Sequence, residues 1–252
     1  MVTWEYMFKP QYKLTDKIVG MLTAIAEAKA AIDRAKLLPK QELRLRRQAL
    51  IRMTHSSTHI EGNQLNFHQV EALYARKKID APNRDIYEVQ NYLKALRYIE
   101  QIVQTPKQSK LATGQEKQPF TERVVLKIHK LVTDKTLPEA QCGTYRTVPV
   151  YVVRRRLGVP DEVMYTGPEA KSVKSLMADL VVWIQKSEKQ EVHPVIVAGV
   201  LHQEIAAIHP FADGNGRTAR ALATLALYQR GYDFRRLFAL EDYYNKDRPA
   251  YY

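Results

Sequence analysis

Residues 209–220 read HPFADGNGRTAR, and this stretch decides how the rest of the chain is read. DGNG does not fit a regular helix without penalty, but glycine and asparagine tolerate the left-handed region. A turn of this kind aims successive backbone N–H groups into one concavity, a nest for an anion. The helix that begins near Arg217 adds its unpaired amides and the positive end of its dipole. Phosphate is the natural guest. Arg217 and Arg220, three apart, reach toward one end of such a ligand, and arginine binds phosphate with two donors and a permanent charge. Asp213 is a lone carboxylate beside these cations, which suits a magnesium ion that arrives on nucleotide phosphates. His209 closes the preceding helix, because Pro210 halts it there. A neutral imidazole at that point can take a proton from an incoming hydroxyl. Phe211 reads as an apolar anchor for the loop.

Outward from the loop, both flanks are apolar helices. HPVIVAGVLHQEIAAI before it is apolar on most sides and reads as a central buried helix. TARALATLALYQRG after it is a second one, ended by Gly231. Farther out, alanine and leucine dominate from Thr15 to about Leu38. Pro39 opens KQELRLRRQALIRMTHSSTHIEG, which Gly62 ends. A short helix follows Asn66. The next helix, NRDIYEVQNYLKALRYIEQIV, puts Ile86, Val89, Tyr92, Leu93 and Leu96 on one face. Residues 105–119 are polar and without period, a loop or a join between two helical halves. Thr121 reads as the N-cap of ERVVLKIHKLVTDKT. Residues 145–166, rich in β-branched and aromatic residues around a glycine, form the single good hairpin candidate, with Pro149 tolerated only at an edge. Helices resume after Pro168, with Val173, Leu176, Met177, Leu180 and Ile184 in a stripe. The expected fold is an all-α bundle carrying one β-hairpin.

Composition narrows the function classes. The chain has 252 residues, 45% hydrophobic and 26% charged, ordinary values for a globular protein. No apolar run approaches the roughly 18 residues of a membrane span, and the N-terminus lacks the pattern of a signal peptide. A single cysteine, Cys142, excludes a disulfide framework and points to a reducing compartment, the cytoplasm by default. Lysine and arginine number 39 against 27 acids, a net charge of +12. That field favours nucleotide phosphates, acidic proteins or nucleic acid as partners.

HPFADGNGRTAR resembles the signature H-x-F-x-[D/E]-G-N-G-R-x-x-R of the Fic domain nucleotidyltransferases. His209, Phe211, Asp213, Gly214, Asn215, Gly216, Arg217 and Arg220 meet its fixed positions. The resemblance implies transfer of AMP from ATP to a hydroxyl of a target protein, on a helical bundle with a hairpin flap. It implies His209 as general base and Asp213 as the Mg²⁺ ligand. Gly214, Asn215 and Gly216 would cradle the α- and β-phosphates, with Arg217 on the β- and Arg220 on the γ-phosphate. The flap would pair with an extended segment of the target by strand addition. SSTHIEGN, residues 56–63, carries Ser57, Glu61 and Gly62 in the spacing [S/T]-x-x-x-E-[G/N] and resembles the family's inhibitory helix motif, here on the N-terminal side of the core. The resemblance implies a Glu61–Arg220 ion pair that takes the γ-phosphate's counter-charge away. His55 and His59, four apart on that helix, lack an evident third metal ligand and read as packing residues.

The expected organisation is an N-terminal helical region, residues 1–104, with the inhibitory helix at about 40–62. The catalytic core follows at 105–252 with its flap at 145–166. EDYYNKDRPAYY resembles the start of a helix that continues in family members, so a truncated C-terminus is expected, with a further domain beyond it that could engage nucleic acid. Self-modification, protein targets on Ser, Thr or Tyr, and a homodimer are open. Two other readings stand beside transferase activity. One is removal of AMP from a modified protein by the same residues. The other is a nucleic-acid-binding regulator, suggested by the charge, by RLRR and by Arg154, Arg155 and Arg156, which leaves HPFADGNGRTAR unexplained.

Overall fold

Capping residues set where the chain enters its helices, in a computed structural model that describes residues 8–104, 120–156 and 159–252. The Thr15 hydroxyl accepts the amide of Ile18 and opens α1, Asp16–Arg34. Pro39 stands at the first position of α2, Pro39–Ile60, where a missing amide costs nothing. Asn66 and Gln69 form a reciprocal capping box at α3, Phe67–Tyr74. After α4, Asn83–Gln104, Thr121 caps α5, Glu122–Thr133. Strands β1, Tyr151–Arg156, and β2, Val159–Thr166, pair antiparallel as a two-stranded sheet. Then come α6, Val173–Lys189, α7, Pro194–Ile208, and α8, Asn215–Gln229. Two short helices, α9, Leu240–Lys246, and α10, Arg248–Tyr251, complete the described chain.

The expected helical bundle with one hairpin is what the chain forms, with shifts at several boundaries. The first helix stops at Arg34 rather than Leu38 because Ala35 turns extended, and Leu38 is extended as a residue before proline must be. The strands begin at Tyr151 rather than Tyr145. Residues 145–150 are drawn instead toward the end of α7, where the Arg146 amide donates to Pro210 O at 2.9 Å. The helix after the loop begins at Asn215, two residues before Arg217. The polar stretch 105–119, expected as a loop, lies outside the described residues, as do residues 157–158 of the hairpin.

α7 and α8 are the centre of the bundle. Leu201 and Ile205 of α7 and Leu222 and Leu225 of α8 are fully buried. One continuous core joins them to Tyr92 and Leu96 of α4, Ile128 of α5 and Met177 of α6, so residues on both sides of 105–119 share it. A second cluster, Ile51, Leu65, Val70, Leu73, Val89 and Leu93, packs α2 and α3 on α4. It fixes the C-terminal end of α2 beside the start of α8. α1 buries none of its residues. Its end is held by Arg235, which donates to the carbonyls of Ile32 and Ala35. Among the described residues no helix is long and apolar enough to cross a membrane.

Because Leu201 of α7 is fully buried in the shared core, Leu201→Ala should lower unfolding stability by about 2–5 kcal/mol. Urea denaturation measures this. A loss under about 1 kcal/mol would mean that this helix pair is not the centre of the core.

Candidate active site

The loop between α7 and α8 is closed from inside. The Asn215 side chain donates to Phe211 O and accepts from Phe211 N, both at 2.9 Å. Its amide therefore serves the loop, and only its backbone N–H is left for a ligand. Phe211 is fully buried and stacks on His129, 3.6 Å between centroids and 3° from parallel. Gly214 sits at φ +80°, and a Cβ there would lie 2.7 Å from Thr133 Cγ2. Both the conformation and the space require glycine.

His209 caps α7 in the left-handed region, φ 48° and ψ 58°. A residue with a Cβ pays roughly 1–2 kcal/mol there, and the surroundings hold it in place. Arg146 Nε donates to His209 O at 2.8 Å, and its Nη2 reaches Ile208 O at 3.3 Å and Pro168 O at 2.6 Å. Arg146 is buried, so these carbonyls, two of them at the end of α7, take the place of water around it. His209 Nδ1 lies 3.3 Å from Ala206 O. A carbonyl only accepts, so Nδ1 carries the proton and Nε2 carries the lone pair. Burial, assisted by the nearby Arg146 charge, pushes the His209 pKa below its ordinary value. The ring is neutral near pH 7, with Nε2 free of any hydrogen bond to a described residue.

The arginines are not a solvated face. Arg217 and Arg220 are each 2% exposed. Arg217 Nη1 lies 3.2 Å from Glu88 Oε1, outside hydrogen-bond alignment, and its Nε has no hydrogen-bond partner. An orphaned buried guanidinium N–H at a helix N-terminus is a site waiting for an acceptor. Arg220, by contrast, has a partner at each of its three nitrogens. Nε donates to Ser57 Oγ at 2.9 Å, and Nη2 donates to Ser57 O at 2.8 Å and Glu61 Oε1 at 2.7 Å. Nη1 donates to the Tyr251 hydroxyl at 3.0 Å. Glu61 also covers the start of α8. A Cβ on Gly216 would lie 2.2 Å from Glu61 Oε1. Gly62 follows at φ +95°, turning the chain off the helix.

Asp213 lies at the mouth of the loop, 39% exposed. Its Oδ1 accepts from Gly214 N at 2.5 Å and its Oδ2 from Arg84 at 3.1 Å. Ser57, Glu61, Gly62, His209, Asp213, Gly214, Asn215, Gly216, Arg217 and Arg220 thus meet around one end of α8. His55 and His59 lie elsewhere on α2, stacked 5.3 Å apart.

Four residues that the sequence did not single out shape this site. His129 accepts Gly143 N–H at Nδ1, 2.9 Å, and so donates from Nε2 to Asp213 O, 3.0 Å. Burial holds its pKa down to about 4. Arg146 fastens the hairpin's base to His209. Glu88, buried, pairs with Arg84 and accepts from Asn63 at 2.9 Å. Tyr251 engages Arg220. The available sequence signal was weak: His129 and Glu88 are single polar residues on helices, and Arg146 and Tyr251 lie outside any long helix.

The Fic/DOC family model matches residues 119–227. Proteins named protein adenylyltransferase Fic are similar to this chain. The one from Drosophila grimshawi is 30% identical over 84% of this chain and 38% of its own length. That from Aedes aegypti is 28% identical over 90% and 40%. The chain therefore spans about two-fifths of the length of these curated relatives. Among solved structures, a Fic family protein from Desulfovibrio desulfuricans G20 superposes with a TM-score of 0.74 at 30% identity, over 95% of this chain and 65% of that one. Fic-1 from C. elegans, at 24% identity and TM-score 0.65 over 84% and 57%, shares the fold.

The His129 pKa of about 4 has a consequence for stability. Between pH 6.5 and about 4 the unfolded chain binds a proton at this residue and the folded chain does not, so acid favours unfolding. The stability gap between wild type and His129→Leu should therefore shrink as pH falls through that window. Urea denaturation at several pH values measures it, and a gap independent of pH would contradict a buried neutral ring.

Proposed function

We propose that this chain, which carries a Fic/DOC-family domain over residues 119–227, transfers AMP from ATP to a Ser, Thr or Tyr hydroxyl of a protein and is held back by Glu61. The observation that supports this most directly is one constellation. A neutral imidazole with a free Nε2 stands beside a helix N-terminus whose arginines are buried and, at Arg217, short of acceptors.

In this reaction the target's hydroxyl oxygen attacks the α-phosphorus of ATP, and a new P–O bond joins AMP to the protein. The α–β phosphoanhydride bond breaks, and pyrophosphate leaves with its electron pair. His209 Nε2 takes the hydroxyl proton. Backbone amides at Gly214–Gly216 and the Arg217 guanidinium face the charge of the phosphates, and Arg220 faces the γ-phosphate. The protein's contribution is placement and fixed charge, the main means by which phosphoryl-type transfer is accelerated.

Asp213 is the carboxylate we assign to Mg²⁺. Among the described residues there is no cluster of three or more His, Cys, Asp or Glu that could hold a metal alone. One carboxylate, tied to Gly214 N–H and to an exposed Arg84, fits an ion that brings most of its ligands as phosphate and water. Bound there, Mg²⁺ would neutralise phosphate charge. The hairpin's β2 presents exposed Val163 and Met164, and Tyr165 OH donates to Ala207 O at 2.6 Å. That anchor keeps the hairpin near His209, where an extended target segment would add as a strand. Glu61 opposes the reaction twice: it occupies Arg220, and its carboxylate covers Gly216.

Intact mass after incubation with ATP and Mg²⁺, with the chain itself and a protein mixture as acceptors, tests the proposal. Glu61→Gly should incorporate AMP about tenfold faster than wild type or more, the effect of restoring one charged hydrogen bond. Adding His209→Ala should reduce the rate by about 10²–10⁴-fold. Equal ATP use by wild type and Glu61→Gly would contradict inhibition by Glu61. Faster release of AMP from a pre-modified protein by wild type than by Glu61→Gly would assign hydrolysis to the same residues instead.

A further inference from the structure

Arg220 is held from two sides, and only one of them belongs to the inhibitory helix. Ser57 and Glu61, from α2, engage Nε and Nη2. On the other side Nη1 donates to the Tyr251 hydroxyl at 3.0 Å, with the guanidinium carbon 5.9 Å from the tyrosine ring centroid. A hydroxyl that accepts from an arginine still has its own proton to place. His202 Nε2 lies 2.9 Å from it. Arginine N–H groups only donate, so that proton needs another acceptor; His202 Nε2 is the other hydrogen-bond partner of the hydroxyl among the described residues, and in that role it is the nitrogen without a proton. Burial, with the Arg220 charge, holds the His202 pKa down to about 4, in keeping with a ring that accepts. The ring of Tyr244 packs on both partners, with centroids 4.7 Å from Tyr251 and 5.5 Å from His202. The relay runs in one direction, from α8 through α10 to α7.

We infer that His202 and Tyr251 are a positioning pair that aims the Arg220 guanidinium at the terminal phosphate of the nucleotide, independently of Glu61. This rests on the reading of Arg220 as the γ-phosphate's partner. The physical reason is preorganisation. A guanidinium is a planar fork, and fixing one nitrogen fixes the plane of the others. When Glu61 withdraws, Nη2 loses its carboxylate; Ser57 still holds the Nε edge, and Tyr251 holds the opposite nitrogen, Nη1. The cation then stays in the plane in which it met the carboxylate, and little rotational freedom is left to lose when phosphate arrives. Tyr251 thus acts through Arg220, and His202 acts through Tyr251, by taking the hydroxyl proton that would otherwise compete with the arginine.

The test uses the Glu61→Gly chain, with ATP and AMP affinities measured by calorimetry. AMP lacks the γ-phosphate and reports on the rest of the site. Tyr251→Phe in that background should weaken ATP about tenfold, the ordinary worth of a hydrogen bond to a charged group, and leave AMP unchanged. His202→Leu should give a similar selective loss, and the combination should lose no more than either alone, as expected for residues that act in series. Unchanged AMP binding also shows that the variants are folded. Equal loss of ATP and AMP would overturn the proposal, because it means a merely structural role. So would additive losses, or no loss. Arg220→Ala in the same background separates the two levels. If it removes the preference for ATP while Tyr251→Phe does not, the pair has no positioning role. If it leaves the preference intact, the γ-phosphate reading and the inference both fall.

Discussion

The constraint on which the site depends is the burial of the Arg220 guanidinium, 2% exposed at the start of α8. A cation cannot be removed from water without acceptors. It therefore gathers them from two separate parts of the chain: a hydroxyl, a carbonyl and a carboxylate from the end of α2, and a phenol from α10. That requirement brings the C-terminal end of α2 over the start of α8, and it explains why Ser57 is fully buried on a helix that otherwise reads as polar. In the proposed function the same demand would make the arrangement switchable: Glu61 keeps partial exposure, 29%, and its carboxylate is the acceptor that a phosphate oxygen would replace with the least disturbance.

The neighbouring constraint is conformational. The chain must leave α7, turn, and enter α8 within six residues, 209–214. It does so with His209 and Gly214 both in the left-handed region. The strain at His209 is balanced by Arg146, which binds the carbonyls at the end of α7, and the loop is stiffened by Asn215 and by the Phe211–His129 stack. The result is an imidazole presented with a defined tautomer rather than a histidine free to rotate. Anchoring the hairpin through Arg146 and Tyr165 links that ring to the surface where a protein substrate would lie.

Much of this was legible in the sequence, for reasons of locality. DGNG names a turn, the arginines three apart name a charged face, and the apolar flanks name buried helices. The hairpin stood out by its β-branched composition. What the sequence did not yield are contacts between residues far apart. Arg146 reaches His209 across 63 positions, His129 reaches Asp213 across 84, and Tyr251 joins Arg220 across 31. None of these carries a periodic or spaced signal of its own. The role expected for Asn215 shows the limit from the other direction. The resemblance places it in the phosphate cradle with Gly214 and Gly216, without foretelling that its side chain is spent on the Phe211 backbone and leaves only its N–H for that role. The strand start was misjudged by six residues because Arg146 pulls the hairpin's base to α7, a tertiary demand that β propensity does not encode.

If Glu61 denies the γ-phosphate its arginine, nucleotide selectivity by calorimetry reads it most directly, ATP against ADP, in wild type and in Glu61→Gly. With the ion pair in place, wild type should bind ATP no more tightly than ADP. Glu61→Gly should prefer ATP, because one N–H of Arg220 Nη2 is then open to the third phosphate. The same ATP-to-ADP ratio in both proteins would contradict the account.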